Sequence, residues 1–180
     1  MTTDLPAPRV LWFTGLSGAG KSTLADAAAQ ALRAEGRAVY VLDGDALRSG
    51  LCSDLGFDAA ARAENIRRAG HVAALMADAG LIVIGAFISP FAADRAMVRA
   101  LFAPGEFMEI YCDSPLEACE RRDVKGLYRR ARAGQIAEFT GISSPYEVPR
   151  APELAVDTAR QTVDAACAEI IAAFRERARS

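Results

Sequence analysis

The stretch Gly15-Leu16-Ser17-Gly18-Ala19-Gly20-Lys21-Ser22-Thr23 constrains this chain more than any other. It fits G-x-x-x-x-G-K-[ST], the pattern of a phosphate-binding loop, which requires a strand before it and a helix after it. Both can be read. Val10-Leu11-Trp12-Phe13-Thr14 is a short apolar, aromatic-rich run that predicts a buried strand, and Leu24, Ala27, Ala28, Ala31 and Leu32 recur at helical spacing. Glycines let backbone N–H groups turn inward around phosphate oxygens without a Cβ in the way. A helix starting near Gly20 adds the positive end of its dipole. Lys21 is then set to reach the β- and γ-phosphates of ATP, and the Ser22 hydroxyl to ligate Mg²⁺. Every residue from Gly15 to Thr23 is a candidate ATP-binding residue.

The remaining punctuation gives the fold class. Residues 1–8, with two prolines, are expected to be a short disordered leader, and residues 9–180 a single domain. Strands are predicted over about 9–14, 38–42, 81–87, 107–112 and 154–157. Helices are predicted over about 20–35, 59–79, 91–102 and 162–178, with Gly36 and Gly80 as left-handed C-caps. A short helix should begin at Ser114-Pro115, with Ser114 as N-cap and Pro115 in the first helical position. Strands alternating with helices predict an α/β domain: about five parallel strands covered by helices on both faces. Right-handed crossovers bring the strand C-terminal ends to one edge, where ligands bind in open sheets of this kind. The unusual polar residues fall there: the glycine loop after the first strand, Asp43 and Asp45 after the second, Ser89 after the third.

Composition removes several function classes. The formal charge of −2 gives no electrostatic case for nucleic acid or an anionic membrane, and the apolar runs are broken well short of a membrane span. No charged-then-apolar leader reads as a signal peptide. Cys52, Cys112, Cys119 and Cys167 form no C-x-x-C pair, so reduced, mostly buried thiols in a cytoplasmic protein are expected. His71 lies inside a helical pattern and reads as a packing or surface residue.

Two further features bear on chemistry. The third strand ends Phe87-Ile88-Ser89-Pro90 without a carboxylate, whereas the second ends Asp43-Gly44-Asp45. Two carboxylates beside a triphosphate repel it unless Mg²⁺ or a substrate proton compensates. One acid therefore belongs near the metal and the other near an acceptor hydroxyl, with an Asp-Gly turn as the plain alternative. The run Arg121-Arg122-Asp123-Val124-Lys125-Gly126-Leu127-Tyr128-Arg129-Arg130-Ala131-Arg132 is a solvated face by default. Its place, within a glycine- and proline-punctuated segment over about 121–150, is where small-molecule kinases keep a lid whose cations clamp phosphates. Arg130 and Arg132 are expected to be plain surface.

The combination of motifs resembles the adenylylsulfate kinase family. The resemblance is carried by the glycine loop, Asp43-Gly44-Asp45-Ala46-Leu47-Arg48-Ser49-Gly50-Leu51, Asp54-Leu55-Gly56-Phe57 and Arg62-Ala63-Glu64-Asn65-Ile66-Arg67-Arg68. Phe87-Ile88-Ser89-Pro90, Asp123-Val124-Lys125-Gly126-Leu127-Tyr128, Phe139-Thr140-Gly141-Ile142 and Pro145-Tyr146-Glu147 add to it. It covers nearly all of residues 9–160. The glycine loop alone is shared by many families, including gluconate and nucleoside kinases and nucleotide sensors; the combination is specific. The resemblance implies transfer of the ATP γ-phosphate to the 3′-hydroxyl of adenosine 5′-phosphosulfate (APS), giving 3′-phosphoadenylyl sulfate (PAPS) for sulfate assimilation, with Mg²⁺ as cofactor and a homodimer as assembly. It implies Lys21 and Asp45 as catalytic residues, Asp45 acting on the acceptor hydroxyl, with Ser22 and Asp43 nearer the metal. It implies Arg48, Phe57, Arg62, Asn65, Ile88, Ser89, Lys125 and Phe139 as the APS-binding set, the two phenylalanines stacking on the adenine. Arg62 and Asn65, three apart, share a helix face. Ser89 also matches a serine that family descriptions mark as a phosphoserine intermediate. In-line transfer needs no such relay, and no general base is evident beside Ser89.

Overall fold

Alternation along β1 (Val10–Thr14) sorts the core into two layers. Successive strand side chains point to opposite faces. Leu11 and Phe13 join the cluster under α1 (Lys21–Ala34) and α7 (Val163–Arg177), while Val10 and Trp12 join the cluster under α3 (Ala59–Asp78) and α4 (Ala92–Arg99). The computed structural model describes residues 7–179, so most of the expected leader lies outside the described residues. β1 sits at the centre of a five-stranded sheet of order β2-β3-β1-β4-β5, all neighbours parallel, with β2 (Val39–Asp43), β3 (Ile82–Ala86), β4 (Phe107–Asp113) and β5 (Leu154–Asp157). The register pairs Phe13 with Ala86 and Asp43 with Ala86, so the ends of β1, β3 and β2 meet at one edge.

Buried aromatics hold this centre. Trp12 stacks on Phe87 at 4.7 Å, and a Cβ at Gly85 would lie 2.8 Å from the Trp12 ring, so the indole crosses the sheet where its neighbour has no side chain. Truncating such a ring costs about 3–5 kcal/mol. An exposed pair such as Arg160–Asp157, at 3.6 Å, supplies about 0–1 kcal/mol. Sheet packing therefore dominates stability. One ionic cluster is an exception by its burial: Arg95 and Glu109 approach to 2.8 Å, and Arg99 joins Glu109 to Glu153 at 3.1 and 2.6 Å, pinning α4 onto β4.

Three short elements depart from the sequence reading. Asp43-Gly44-Asp45 is not a free turn: Gly44–Arg48 forms a helical turn, α2, capped by the Asp43 carboxylate, which accepts from the N–H groups of Asp45 and Ala46 at 2.9 and 3.3 Å. The expected Ser114 N-cap is corrected. α5 spans Leu116–Arg122, and Pro115, at ψ 144, remains extended. The helix thus begins one residue later than expected, and the Ser114 hydroxyl is buried without a hydrogen-bond partner. Within the basic segment, Leu127–Arg132 forms α6 after Gly126 at φ 64, its first amides taken by the Asp123 carboxylate.

The loop between α2 and α3 is fastened by charge. Arg68 is bidentate to Asp54 at 2.6 and 2.9 Å and donates to Glu64 at 2.8 Å, and Glu64 accepts from Arg67 at 2.6 Å. Hydrogen bonds from Arg67 and then Arg68 hold the Glu64 carboxyl down at about 2, from the usual 4.5. A carboxylate whose pKa falls on folding stabilises the protein above its unfolded pKa and loses that contribution as pH falls through the folded value. Glu64→Gln should therefore lower the melting temperature slightly at neutral pH, and the gap from wild type should close between about pH 4.5 and 2. Thermal melts across that range check this; a gap constant down to pH 2 contradicts it.

Candidate active site

The glycine loop follows β1 with its carbonyls turned to protein donors. Lys21 Nζ donates to the Leu16 carbonyl at 2.7 Å, the Tyr128 hydroxyl to that of Ser17 at 2.8 Å, and Arg122 to that of Gly18 at 3.1 Å. Anion binding is left to N–H groups and to the N-terminus of α1. Gly15 is required by close approach: at φ 151, a Cβ there would lie 2.8 Å from the Cys112 carbonyl on β4. Lys21 is only 9% exposed, and burial lowers its ammonium to about 8. A buried cation resting on a single carbonyl is a ready partner for an arriving phosphate.

Asp43, at the end of β2, faces this loop. One carboxylate oxygen accepts from the Ser22 hydroxyl at 3.0 Å, while the other caps α2. Two hard oxygen donors on adjacent element ends suit Mg²⁺, which binds through one or two protein oxygens and keeps waters and substrate phosphates as its other ligands. Among the described residues no group of three or more His, Cys, Asp or Glu could hold a metal. Asp45, on α2, points instead to Lys125 from the turn before α6, and the two form an exposed ion pair. Exposed pairs contribute about 0–1 kcal/mol, so a substrate can replace this one at little cost.

The residues expected to bind the acceptor cluster beyond α2. Arg48 lies over the Phe57 ring at 4.3 Å and donates to the Gly56 carbonyl at 2.9 Å. Arg62 donates to the Phe57 carbonyl at 2.6 Å and to Thr140 Oγ1 and the Glu138 carbonyl, so it joins the Phe57 loop to the Phe139 turn. Asn65 is buried with Oδ1 unpartnered. The two rings differ. Phe57 is 62% exposed, whereas Phe139 is 8% exposed and packs edge-on against Tyr128 at 5.0 Å. Phe139 is buried although it lies in a polar, glycine-punctuated stretch. The turn folds inward because Ile142 and the close Gly141–Leu16 contact seat it on the core.

Ser89 follows β3 in an unusual backbone state, φ 37, and is 1% exposed. Its Oγ accepts from the Trp12 indole at 3.2 Å, and its carbonyl accepts from Arg95 at 2.7 Å. Among the described residues no carboxylate or imidazole bonds to it. The Thr14 hydroxyl donates to the Ile88 carbonyl at 2.7 Å, so at the 2.9 Å contact with Tyr146 the phenol is the donor. Glu147 caps α4 through the Ala92 N–H at 2.7 Å, and its own N–H reaches the Pro90 carbonyl at 2.8 Å. Segment 145–147 thereby straps the Ile88–Pro90 turn.

Sequence reasoning gave no individual role to Tyr128, Arg95, Thr14, Tyr146 or Glu147, and named Arg122 only within the basic run expected to clamp phosphates. Tyr128, Tyr146 and Glu147 stood inside the quoted motifs, which was the one available signal. Of the basic run, Arg122 and Lys125 turn toward the site. Arg130 is exposed and Arg132 pairs at the surface with Glu120 at 2.5 Å. His71 is exposed, and Cys52, Cys112, Cys119 and Cys167 are all free thiols, the first three buried. No helix among the described residues is long and apolar enough to cross a membrane.

Comparison with known proteins fits this geometry. The family model described as adenylylsulphate kinase matches residues 7–157. The adenylyl-sulfate kinase of Marinobacter nauticus is 60% identical over 170 residues, covering 94% of this chain and 85% of the relative. That of Geotalea uraniireducens is 62% identical over 164 residues, covering 91% and 79%. The solved structure of the Mycobacterium tuberculosis APS kinase in complex with AMPPNP and APS matches with a TM-score of 0.90 at 49% identity, covering 94% of this chain and 99% of that one. A gluconokinase from Sinorhizobium meliloti, at 21% identity and TM-score 0.67 over 97% of this chain and 95% of that one, shares the fold alone.

Proposed function

From the premise that the chain belongs to the adenylylsulfate kinase family, we propose how its residues divide the work of that reaction. The reaction is transfer of the ATP γ-phosphate to the 3′-hydroxyl of APS, giving PAPS and ADP. The observation that best supports the division is the Asp43–Asp45 junction, one carboxylate on the Ser22 hydroxyl and the other turned toward the acceptor residues.

The glycine loop, residues 15–23, cradles the ATP phosphates. Lys21 leaves the Leu16 carbonyl for the β- and γ-phosphates and offsets the charge that spreads over the transferred group. Ser22 and Asp43 hold Mg²⁺, which when bound neutralises phosphate charge. Asp45 orients the APS 3′-hydroxyl and accepts its proton as the new O–P bond forms and the bond to the ADP oxygen breaks. Lys125 leaves Asp45 for substrate oxygens. Arg48 and Arg62 offer planar, paired donors to the phosphosulfate. Phe57 and Phe139 flank the adenine, with Asn65, Ile88 and Ser89 completing the pocket. Transfer is direct: the Ser89 hydroxyl is buried and bonded to the Trp12 indole, with no base beside it, which disfavours a phosphoserine relay. A non-catalytic sensor is disfavoured because Lys21, Asp45 and Lys125 are all present. We also propose a cytoplasmic homodimer, in keeping with the free thiols; sedimentation equilibrium of the purified chain reads the assembly.

Asp45→Asn tests the division. It should lower kcat about 10²–10⁴-fold, the usual cost of losing a positioned acid or base, while the KM for ATP changes little. Collapse of ATP affinity with kcat retained would instead make Asp45 a metal residue.

The two rings should respond differently. Stacking on a base is worth about 1–3 kcal/mol in nucleic-acid binders, so each Phe→Ala change should weaken APS binding roughly 5- to 150-fold. Phe57→Ala should leave the melting temperature nearly unchanged, because the ring is mostly exposed. Phe139→Ala should also lower it markedly, because a buried ring lost from a core costs about 3–5 kcal/mol. Calorimetric titration of APS into the ADP-loaded variants, with melts alongside, measures both. Undiminished APS affinity in Phe57→Ala contradicts the clamp.

A further inference from the structure

We infer that Tyr128 is a positioning residue that couples the two substrate sites, its hydroxyl holding the Ser17 carbonyl of the glycine loop while its ring supports Phe139 on the acceptor side. The inference rests on the reading above that Phe139 touches the APS base. Tyr128 is 3% exposed, and two of its contacts point to opposite halves of the cleft: 2.8 Å to the Ser17 carbonyl, and an edge-on ring contact to Phe139 with centroids 5.0 Å apart.

The surroundings leave this side chain little independent freedom. Asp123 accepts from the Tyr128 N–H at 2.9 Å and from the Arg129 N–H at 3.1 Å, fixing the first turn of α6. Lys125, on the same short turn, pairs with Asp45, so one turn of chain touches the ATP loop, the acceptor acid and the acceptor ring. Phe139 is fixed from its other side. Its N–H donates to Ser143 Oγ at 2.9 Å, its carbonyl accepts from Ile142 at 3.0 Å, and the flanking Glu138 carbonyl and Thr140 hydroxyl are held by Arg62. Close-packed interiors pass displacements on instead of absorbing them.

The glycine loop has a reason to move at this point. Lys21 is bonded to the Leu16 carbonyl, the peptide group adjoining Ser17. A bound phosphate draws Lys21 away, and the loop at Leu16-Ser17 is then held on the lid side by Tyr128. Nucleotide binding should therefore steady Tyr128 and, through it, the Phe139 face offered to the base. A second contact runs beside this one: a Cβ at Gly141 would lie 3.0 Å from Leu16 Cδ2, so the loop also touches the Phe139 turn through Leu16.

Tyr128→Phe separates the two routes, because it removes the bond to Ser17 and keeps both the ring and the Leu16 contact. APS is titrated calorimetrically into the full chain, alone and saturated with AMPPNP and Mg²⁺, and AMPPNP is titrated alone; melts accompany each. In wild type, AMPPNP should tighten APS binding. In Tyr128→Phe that tightening should shrink about three- to tenfold, the weight of one hydrogen bond, while APS affinity without nucleotide and the melting temperature stay near wild type. Arg122→Gln, which loses the bond to the next loop carbonyl but does not touch Phe139, should weaken AMPPNP and keep the tightening. It also carries the test if Tyr128→Phe folds poorly, since loss of the tightening in Arg122→Gln overturns the route through the ring. Full tightening in Tyr128→Phe, or none in wild type, overturns it as well. If Phe139→Ala leaves APS affinity unchanged, the contact between that ring and APS is what fails; if Phe139→Ala weakens APS while Tyr128→Phe keeps full tightening, the coupling alone fails.

Discussion

The Asp43 carboxylate is the point at which the two halves of the site are joined. It ends the edge strand β2, two positions from the sheet centre, accepts from the first-turn hydroxyl of α1, and caps the helical turn that carries Asp45 and Arg48. Each of these is a short-range consequence of a parallel sheet whose strand ends meet at one edge. Remove the carboxylate and α2 loses its cap, so the acid that pairs with Lys125 and the guanidinium that stacks on Phe57 lose their common support. One side chain with two oxygens thus holds both the first turn of α1 and the turn that carries Asp45, one oxygen spent on each.

A second constraint acts at the end of β3. The Ile88–Pro90 turn carries a non-glycine residue at positive φ, a state that persists only where the surroundings impose it. Here they do. Trp12, Arg95 and Thr14 bond Ser89 and Ile88 from the core side, and Tyr146 and Glu147 strap the turn from outside. Arg95 is in turn held by Glu109, one of the few well-buried ion pairs. A buried charge is costly unless paired and hydrogen-bonded, and every nitrogen of this guanidinium is engaged, by Glu109, Ser89 and Glu147. The stiffness of the Ile88–Pro90 turn is therefore built largely from residues outside the proposed substrate-binding set.

Much of this was legible in the chain because it is local. The glycine loop, the strand before it and the helix after it lie within one contiguous stretch, and Gly36 and Gly80, at φ 77 and 91, end α1 and α3 where the pattern placed them. The one misplaced helix start was also local. Ser-Pro read as a helix start, but Pro115 stayed extended and stranded the serine. For Asp43-Gly44-Asp45 a turn was only the plain alternative to a pair of functional acids, and nothing in the pattern said that Asp43 would also cap a helix. What could not be read is the long-range set: Tyr128 to Ser17, Lys125 to Asp45 and Arg62 to Thr140 span 111, 80 and 78 residues. Phe139 sits in a stretch whose composition says loop, and only the packing of that loop onto Leu16 and Tyr128 buries it.

The division of work proposed above amounts to a single displacement. Asp43 lies between the Ser22 hydroxyl and the Asp45 N–H, so in that proposal the acceptor oxygen attacks the γ-phosphorus in line, while Ser89 is enclosed by Trp12 and its own strained turn. The stereochemistry at phosphorus tests this most directly. A γ-thiophosphoryl group made chiral with oxygen isotopes would be transferred from ATP to APS and its configuration read in the product. Inversion is the expected result, one in-line step from ATP to the 3′-hydroxyl. Retention would mean two displacements through an enzyme-bound phosphoryl group and would contradict direct transfer.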